Sequence, residues 1–229
     1  MCRCTQACVL QVPVFQQLTE DETRSLSSMV HSTIYKKGQF VFKEGDRSQS
    51  LYVLHRGLIK LSMVADTGKE HIVRFLFPGD FFGLSALLQE VRQYAHAEVI
   101  EEAKVCRIDR VDLQPLLESS PAMTYRFLLA MSQRVQQADG WAGAVTLFEV
   151  ERRLARLLVH FRQIGLSTRD EVRLPAAKKE IAAMIGTTPE TLSRKLSQLE
   201  AQQLIAVNNR SIRILLPDKL DELAGLQQT

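Results

Sequence analysis

The last third of the chain has apolar positions spaced as on two short helices joined by a turn. These positions are Ile181, Ala182 and Ile185 in the first helix and Leu192, Leu196 and Leu199 in the second. Gly186 lies where a left-handed residue commonly ends a helix. Thr187 or Thr188 can cap the next helix, and Pro189 suits its first turn. The pattern therefore predicts two helices between residues 178 and 204.

The second predicted helix turns Glu190, Ser193 and Arg194 away from its apolar face. A helix that exposes such groups after a short turn is typical of helix-turn-helix proteins, which place it in the major groove of DNA. An ordinary αα-hairpin gives the same pattern, so the neighbouring elements must decide between the two interpretations.

Between residues 32 and 109 the pattern changes to short runs rich in Val, Ile, Phe and Tyr, separated by glycines and polar turns. Such runs predict an antiparallel sandwich or barrel. We expect a helix before it, within residues 13–31, because Thr19 and Glu22 have the spacing of a capping box.

Residues 121–146 predict one long helix with a heptad pattern of small and apolar residues. The seam of this pattern consists of Leu128, Met131, Val135, Ala138, Ala142 and Val145. Its regularity favours a parallel homodimer. The alternative is a helix that packs on its own domain, which Phe127 and Trp141 off the seam would also support.

A further amphipathic helix is predicted at residues 147–165, and a short strand at residues 171–174 precedes the two-helix unit. After that unit, two strand-like runs around Asn208-Asn209 predict a β-hairpin, which makes a winged helix. The chain is thus predicted to be α+β. Its parts are an arm at residues 1–12, a sensory β-domain at residues 13–120, a dimerisation helix at residues 121–146 and a DNA-binding domain at residues 147–229.

The charge distribution and the hydropathy of the sequence predict a kind of partner and a cellular location. The formal net charge is +3, and the whole excess lies after residue 146, which mildly favours an anionic partner there. The sequence has no apolar run long enough for a membrane helix and no secretion signal at its start. We therefore expect a cytoplasmic protein without a membrane partner.

Cys2, Cys4 and Cys8 crowd the start of the sequence, and Cys106 follows far along the chain. In a cytoplasmic protein this distribution favours metal binding or redox sensing over a structural disulfide framework. The histidines include no pair at metal-binding spacing, and no catalytic or Gly-rich phosphate motif occurs. We expect no enzymatic activity, with a cupin-like metalloenzyme fused to a DNA-binding domain as the rival interpretation.

Four motifs together resemble the CRP/FNR family of bacterial transcription regulators: KKGQFVFKEGD, LYVLHRGLIKL, the PGDFFG corner and GTTPETLSRKL. The resemblance extends from residue 13 to about residue 225. It implies an N-terminal β-roll, which is a jelly roll of the cyclic-nucleotide-binding type, followed by a dimerisation helix and a winged helix-turn-helix. It also implies double-stranded DNA and RNA polymerase as partners.

Cyclic-nucleotide binders of this family have Gly-Glu-Leu after the corner and Arg-Ser further along, for the ribose and the phosphate. This chain has Gly83-Leu84-Ser85 and Gln93-Tyr94 instead. Without those two charged contacts a buried phosphate would be uncompensated, so the comparison argues against cyclic AMP. A regulator of the same fold that responds to another small-molecule effector is an alternative.

Cys106 in AKVCRID matches the late cysteine of FNR-type oxygen sensors, which hold a [4Fe–4S] cluster. Cys2, Cys4 and Cys8 complete the number of ligands, but their Cys-x-Cys-x3-Cys spacing differs from the Cys-x2-Cys-x5-Cys of that branch. Other family members switch through a disulfide between an N-terminal cysteine and the late one. Three roles of these cysteines therefore stay open: ligands of an iron–sulfur cluster, a disulfide switch, or idle thiols that take no part in sensing.

In the recognition helix of the family, a glutamate and an arginine four residues later contact base edges, and they match Glu190 and Arg194. Ser193 between them is the FNR-type residue, which implies palindromic half-sites of the TTGA type. The corresponding residue of the cyclic AMP receptor protein is an arginine, which can donate hydrogen bonds to a base. Pro189 has no such donor, so the preference for the outermost base of the half-site stays open. Contacts to DNA phosphates are predicted for Lys178, Thr188, Lys195 and Arg210.

Overall fold

The structure of the chain is a computed structural model that describes Phe15 and residues 19–47, 49–68, 70–84, 91–164, 167–168 and 171–225. It divides into two compact units between Val135 and Gln136. Both units combine helices with antiparallel strands, which confirms the predicted α+β class. The division falls inside the long helix, so the finer boundaries at residues 12, 120 and 146 stay predictions.

The first unit is built on a six-stranded antiparallel sheet in the order β1-β6-β3-β4, with β2 paired to β6 and β5 paired to β3. Its strands are β1 (Val30–Tyr35), β2 (Phe40–Phe42), β3 (Ser50–Val64), β4 (Glu70–Leu76), β5 (Phe81–Phe82) and β6 (His96–Asp109). The antiparallel β-domain expected from the sequence is therefore confirmed.

The two long strands β3 and β6 are buried on both faces, because alternate residues enter two different core clusters. Leu51 and Val53 join Cys106 in one cluster, whereas Tyr52 and Leu54 face the other. The first cluster is covered by the helices α1 (Glu20–Met29), α2 (Arg110–Ser119) and α3 (Pro121–Leu147).

The predicted capping box opens helix α1. The backbone N–H of Glu22 donates to Thr19 Oγ1 at 3.3 Å, and the Thr19 N–H donates to Glu22 Oε2 at 2.8 Å. Both bonds satisfy amides that a helix start leaves without partners, which confirms the predicted start of this helix.

Lys60 on β3 is a buried cation of the sheet. Its Nζ lies 2.8 Å from Glu70 on β4 and 2.9 Å from Glu98 on β6. Burial lowers the pKa of Lys60, but the hydrogen bonds that its ammonium donates to the two carboxylates, together with their negative charges, outweigh this effect and raise the pKa. A charge at this depth is tolerated because it is paired on both sides.

Helix α3 divides its apolar residues between two directions. Met123 and Phe127 enter the core of the first unit, while Leu128 is 62% exposed and Val135, Ala138 and Ala142 are also exposed. Met131, also assigned above to the seam, is half-buried and packs against the cluster around Cys106. Val145 is half-buried.

The second unit has the winged-helix arrangement that the sequence predicts. Its four-stranded sheet has the order β7-β8-β10-β9 and is joined by four helices. These elements are α4 (Val150–Gln163), β7 (Ser167–Thr168), β8 (Glu171–Arg173), α5 (Lys178–Met184), α6 (Pro189–Ala201), β9 (Ile205–Asn208), β10 (Ser211–Ile214) and α7 (Pro217–Ala224). The hairpin turns at Asn209-Arg210, one residue later than expected, because Asn208 still pairs with Ser211 and Asn209 takes a positive φ.

Within the part of the chain that the structure describes, no helix is long and apolar enough to cross a membrane. The same residues contain no group of three His, Cys, Asp or Glu side chains that could hold a metal ion.

Candidate nucleic-acid interface

The turn between α5 and α6 is fixed by its own backbone. The N–H of Thr187 donates to the Ala182 carbonyl at 2.9 Å, and Gly186 has a φ of +67°. This is the bond pattern with which a left-handed glycine ends a helix. Thr188 then caps α6 by accepting the N–H of Thr191 at 3.3 Å, which decides between the two threonines considered above.

One face of α6 is buried against the rest of the second unit, and the opposite face is exposed. Leu192, Leu196 and Leu199 are buried, as their spacing predicts. Glu190 and Arg194 are exposed one turn apart, which places them on the same side of the helix. Ser193 beside them is half-buried. The structure therefore brings the three predicted base-reading residues together on the first two turns of the helix.

Glu190 is held as an anion at the start of α6. Its carboxylate accepts hydrogen bonds from its own backbone N–H and from the Thr188 hydroxyl, and both lower its pKa. A carboxylate is also favourable at the positive end of a helix. Glu190 can therefore act as an acceptor throughout the neutral pH range. Arg194, by contrast, forms no hydrogen bond or salt bridge with any residue in the described ranges.

Two of the four residues assigned to phosphates have partners within the unit. Lys195 Nζ lies 2.9 Å from Glu151 Oε2 on α4, and both side chains are largely buried. Arg210 Nη2 donates to the carbonyl oxygens of Leu174 at 3.0 Å and Pro175 at 2.7 Å. Their phosphate roles stay predictions, but both side chains already have a structural role.

The other two phosphate candidates lie at helix starts. Lys178 is the first residue of α5 and is half-buried, and Thr188 is the exposed cap of α6. Backbone amides at a helix start suit a phosphate oxygen, which agrees with the predicted roles without testing them.

Arg153 on α4 supports the turn between α5 and α6, a role that the sequence analysis did not predict. Its Nη1 donates to the Ile185 carbonyl at 2.6 Å, at the C-terminal end of α5. A cation there satisfies a carbonyl that the helix leaves open and complements the helix dipole. A Cβ on Gly186 would lie 3.1 Å from the same nitrogen, so the glycine also makes room for this contact. The amphipathic pattern of α4 carries no signal for it.

In the first unit, Cys106 on β6 is fully buried between Ser32 on β1 and Val53 on β3. Its neighbours in the core cluster are apolar and include Phe15 and Met123. The predicted partners Cys2, Cys4 and Cys8 lie outside the residues that the structure describes.

A cavity of about 280 Å³ in the first unit gathers the residues that replace the nucleotide-binding ones. Leu84, Gln93 and Tyr94 all line it. Two cationic side chains, Arg74 and Arg134, also line it, and no sequence pattern predicts that either residue lies there.

Comparison with known proteins agrees with both units. Residues 33–120 match the family model of the cyclic nucleotide-binding domain, and residues 152–223 match that of the Crp-like helix-turn-helix domain. The chain is similar to the transcriptional activator protein Anr of Pseudomonas protegens, with 30% identity over 83% of this chain and 79% of Anr. It is 29% identical to an anaerobic regulatory protein of Haemophilus influenzae, over 99% of this chain and 89% of the relative. The solved structure of FixK2 from Bradyrhizobium japonicum has the same fold, with a TM-score of 0.77, 22% identity, and coverage of 85% of this chain and 96% of FixK2.

Proposed function

The chain belongs to the CRP/FNR family of bacterial transcription regulators, and we propose that it binds palindromic DNA as a homodimer under the control of a redox signal. Binding to DNA and the regulation of transcription follow from the family. The proposed reading of DNA bases rests on one observation. Glu190 and Arg194 are both exposed on a helix whose opposite face is fixed by three buried leucines.

The proposed base contacts follow from the chemistry of this pair. The guanidinium of Arg194 can donate two bonds to O6 and N7 of one guanine, and the Glu190 carboxylate can accept from the amino group of a cytosine. Together with Ser193, these residues support half-sites of the TTGA type.

The DNA proposal is tested by fluorescence anisotropy with a labelled duplex that carries two inverted TTGA half-sites. We expect tight binding to this duplex and weak binding to one whose half-sites are scrambled, at the same salt concentration. Equal affinity for both duplexes would refute the proposed half-site.

The proposed dimer rests on the exposed stripe of α3. Leu128, Val135, Ala138 and Ala142 follow heptad spacing and all lie at the surface, where a second copy of the helix can cover them. RNA polymerase is the further partner that the family implies, and transcription in vitro with purified polymerase tests it.

The redox proposal concerns Cys106 and the three N-terminal cysteines. Its support is the similarity to a protein named as an anaerobic regulator and the position of Cys106 on a late strand of the roll. Cys106 is fully buried in an apolar core, and the cluster and the thiol switch both need N-terminal cysteines that lie outside the described residues. Both forms therefore stay proposals, and each has its own test below.

In the thiol form, Cys106 and one of Cys2, Cys4 or Cys8 form a disulfide. The two thiols lose two protons and two electrons to an oxidant of the peroxide class, which is reduced to water. The Cα atoms of the pair have to come within about 7 Å of each other. Because Cys106 is buried, the reaction also requires the core around Phe15 to open.

Peptide mapping by mass spectrometry, before and after peroxide treatment, tests the thiol form. We expect a peptide that links Cys106 to the N-terminal segment, together with a changed DNA affinity that Cys106→Ala does not show. If peroxide changes neither the peptide map nor the affinity, the thiols are idle. Iron and acid-labile sulfide analysis of protein purified without oxygen tests the cluster, and a colourless protein without iron would exclude it.

A further inference from the structure

The connection between α3 and α4 consists of only two residues, Phe148 and Glu149. The direction in which α4 leaves α3 therefore depends on the backbone angles of these residues and on the side chains that pack around them. Helix α4 also supports the recognition helix α6, because the two helices pack together and Glu151 binds Lys195. A change in the angle between α3 and α4 would thus move α6 relative to the last turns of α3.

Arg152 in the first turn of α4 packs on this connection. Its Cζ atom lies 3.8 Å from the ring centroid of Phe148, which is a close cation–π contact. Phe148 is half-buried, and such contacts are stronger where they are shielded from water. Arg156, one turn later, approaches the same ring less closely, with its Cζ 5.5 Å from the centroid. The aromatic ring of the connection is therefore held mainly by Arg152.

The Arg152 guanidinium also packs against the C-terminal end of α7. A Cβ added to Gly225 would lie 2.7 Å from Cζ and 2.9 Å from Nε of Arg152, so only a glycine leaves room for this contact. Gly225 has a φ of +68° and ends α7 in the left-handed conformation. The C-terminal end of a helix carries a partial negative charge, which favours a cation there. Arg152 therefore joins the connection to α7.

A second arginine of α4 fixes the position of α7. Arg162 Nη2 lies 2.8 Å from both carboxylate oxygens of Asp221, and both side chains are largely buried. Leu220 and Ala224 are buried on the same helix, and α7 packs against α4. A charged hydrogen bond in a partly buried place is stronger than one at the surface. Helix α7 is thus anchored to α4 and reaches Arg152 with its last residues.

We propose that α7 acts as a clamp on the connection between α3 and α4, and that Arg152 is the positioning residue through which it acts. While the guanidinium contacts both Phe148 and Gly225, the connection keeps one conformation and α6 keeps one orientation toward the last turns of α3. Without these contacts the connection adopts several conformations, and the one that suits DNA is populated for only part of the time. The effect on DNA binding rests on the proposed dimer and its paired half-sites, whereas the rigidity of the connection does not.

The clamp matters when two recognition helices have to be placed at the same time. On a duplex with two inverted half-sites, both copies of α6 must meet the same face of the DNA. On a duplex with one half-site, a single copy of α6 can turn to meet its groove whatever the state of the connection. Loss of the clamp should therefore weaken binding to the paired duplex alone, whereas a loss of folding would weaken binding to both.

Fluorescence anisotropy with the two duplexes tests the proposal. Arg152→Ala should lower the affinity for the paired duplex by about tenfold or more, and it should change the affinity for the single half-site by less than about twofold. Lys219→Ala removes a positive charge from an exposed position of α7 and should change neither affinity. If Arg152→Ala keeps the wild-type ratio of the two affinities, Arg152 does not position α6 and the proposal is wrong.

Gly225→Ala tests the contact between Arg152 and α7. The added methyl group collides with the guanidinium, so this variant should lose affinity for the paired duplex as Arg152→Ala does. The double variant should lose no more than Arg152→Ala alone, because both changes remove the same contact. Gly38→Ala is the control for backbone strain, since Gly38 has a φ of +82° but open space around its Cβ position. Additive losses in the double variant would refute a clamp that includes α7.

Hydrogen exchange in peptides that contain residues 147–149 measures the connection without DNA. Exchange should be about tenfold faster in Arg152→Ala than in the wild-type chain and unchanged in Lys219→Ala. Equal exchange in Arg152→Ala and the wild type would overturn the clamp. If the wild-type chain binds the paired and the single duplex equally, the proposed dimer fails, and the exchange rates still decide whether the clamp exists.

Discussion

Two neighbouring basic residues of α6 have different environments and should have different roles. Arg194 is exposed and has no described partner, whereas Lys195 is bound to Glu151. Arg194→Ala should cost about 1–3 kcal/mol of DNA binding and relax the preference at one guanine. Lys195→Ala should weaken binding to all sequences alike, since its contact is to the protein or to a phosphate. Anisotropy titrations with duplexes that are changed at that base pair distinguish the two variants. If Arg194→Ala keeps the wild-type preference for the guanine, α6 does not read the bases as proposed.

At the scale of single residues, the sequence predicts what local geometry controls. The left-handed Gly186, the Thr188 cap and the buried leucines of α6 are all set by residues within one or two turns. The partners of Lys195 and Arg210 lie 44 and 36 positions away in the sequence, and no local pattern encodes them. The same reason explains why Arg74 and Arg134 were missed, because their shared site exists only after folding.

His55 on β3 should make the first unit sensitive to acid. Its pKa is lowered by burial and by the nearby cations Lys104 and Arg56, and its Nδ1 has no partner. The unfolded chain therefore binds a proton more readily, and stability is lost as pH falls below about 6.5 toward the lower folded pKa. His55→Gln should reduce the loss of unfolding free energy between pH 7.5 and pH 5.5, as measured by urea denaturation.

The matched control for this substitution is His71→Gln, at an exposed position of β4. It should leave the pH dependence of the wild-type chain unchanged. If His55→Gln loses stability with falling pH as steeply as the control does, another group causes the acid sensitivity.

At the scale of elements, the sequence predicts the kinds of element better than their bounds. The runs before and after Gly57 read as two strands with a turn between them, yet β3 continues through this glycine. Gly57 has a φ of +98°, and a Cβ there would collide with the backbone of Glu102 on β6. A glycine between two apolar runs can thus mark a close approach of two backbones within a strand rather than a turn, and only the paired strand decides between them.

The long helix α3 separates a core face from a surface stripe, which changes the choice of mutation for the dimer. Leu128 is 62% exposed, so Leu128→Glu should leave the fold intact and place like charges at the interface. Sedimentation velocity should show a monomer for this variant and a dimer for the wild type. Met131→Glu is less informative, because Met131 packs on its own core and a charge there destabilises the unit itself. A dimer that survives Leu128→Glu would place the interface elsewhere.

At the scale of the whole molecule, a symmetric dimer makes the spacing of the two half-sites a strict requirement. Two recognition helices that meet one face of the duplex have to be about 34 Å apart, which is one turn of DNA. Inserting five base pairs between inverted TTGA half-sites turns the second one to the opposite face, so affinity should fall to that of a single half-site. The monomeric Leu128→Glu variant provides the control, because it should bind the normal and the lengthened duplex equally and weakly. If the wild-type chain binds the lengthened duplex as tightly as the normal one, the two copies bind independently and a signal at Cys106 cannot act through the dimer.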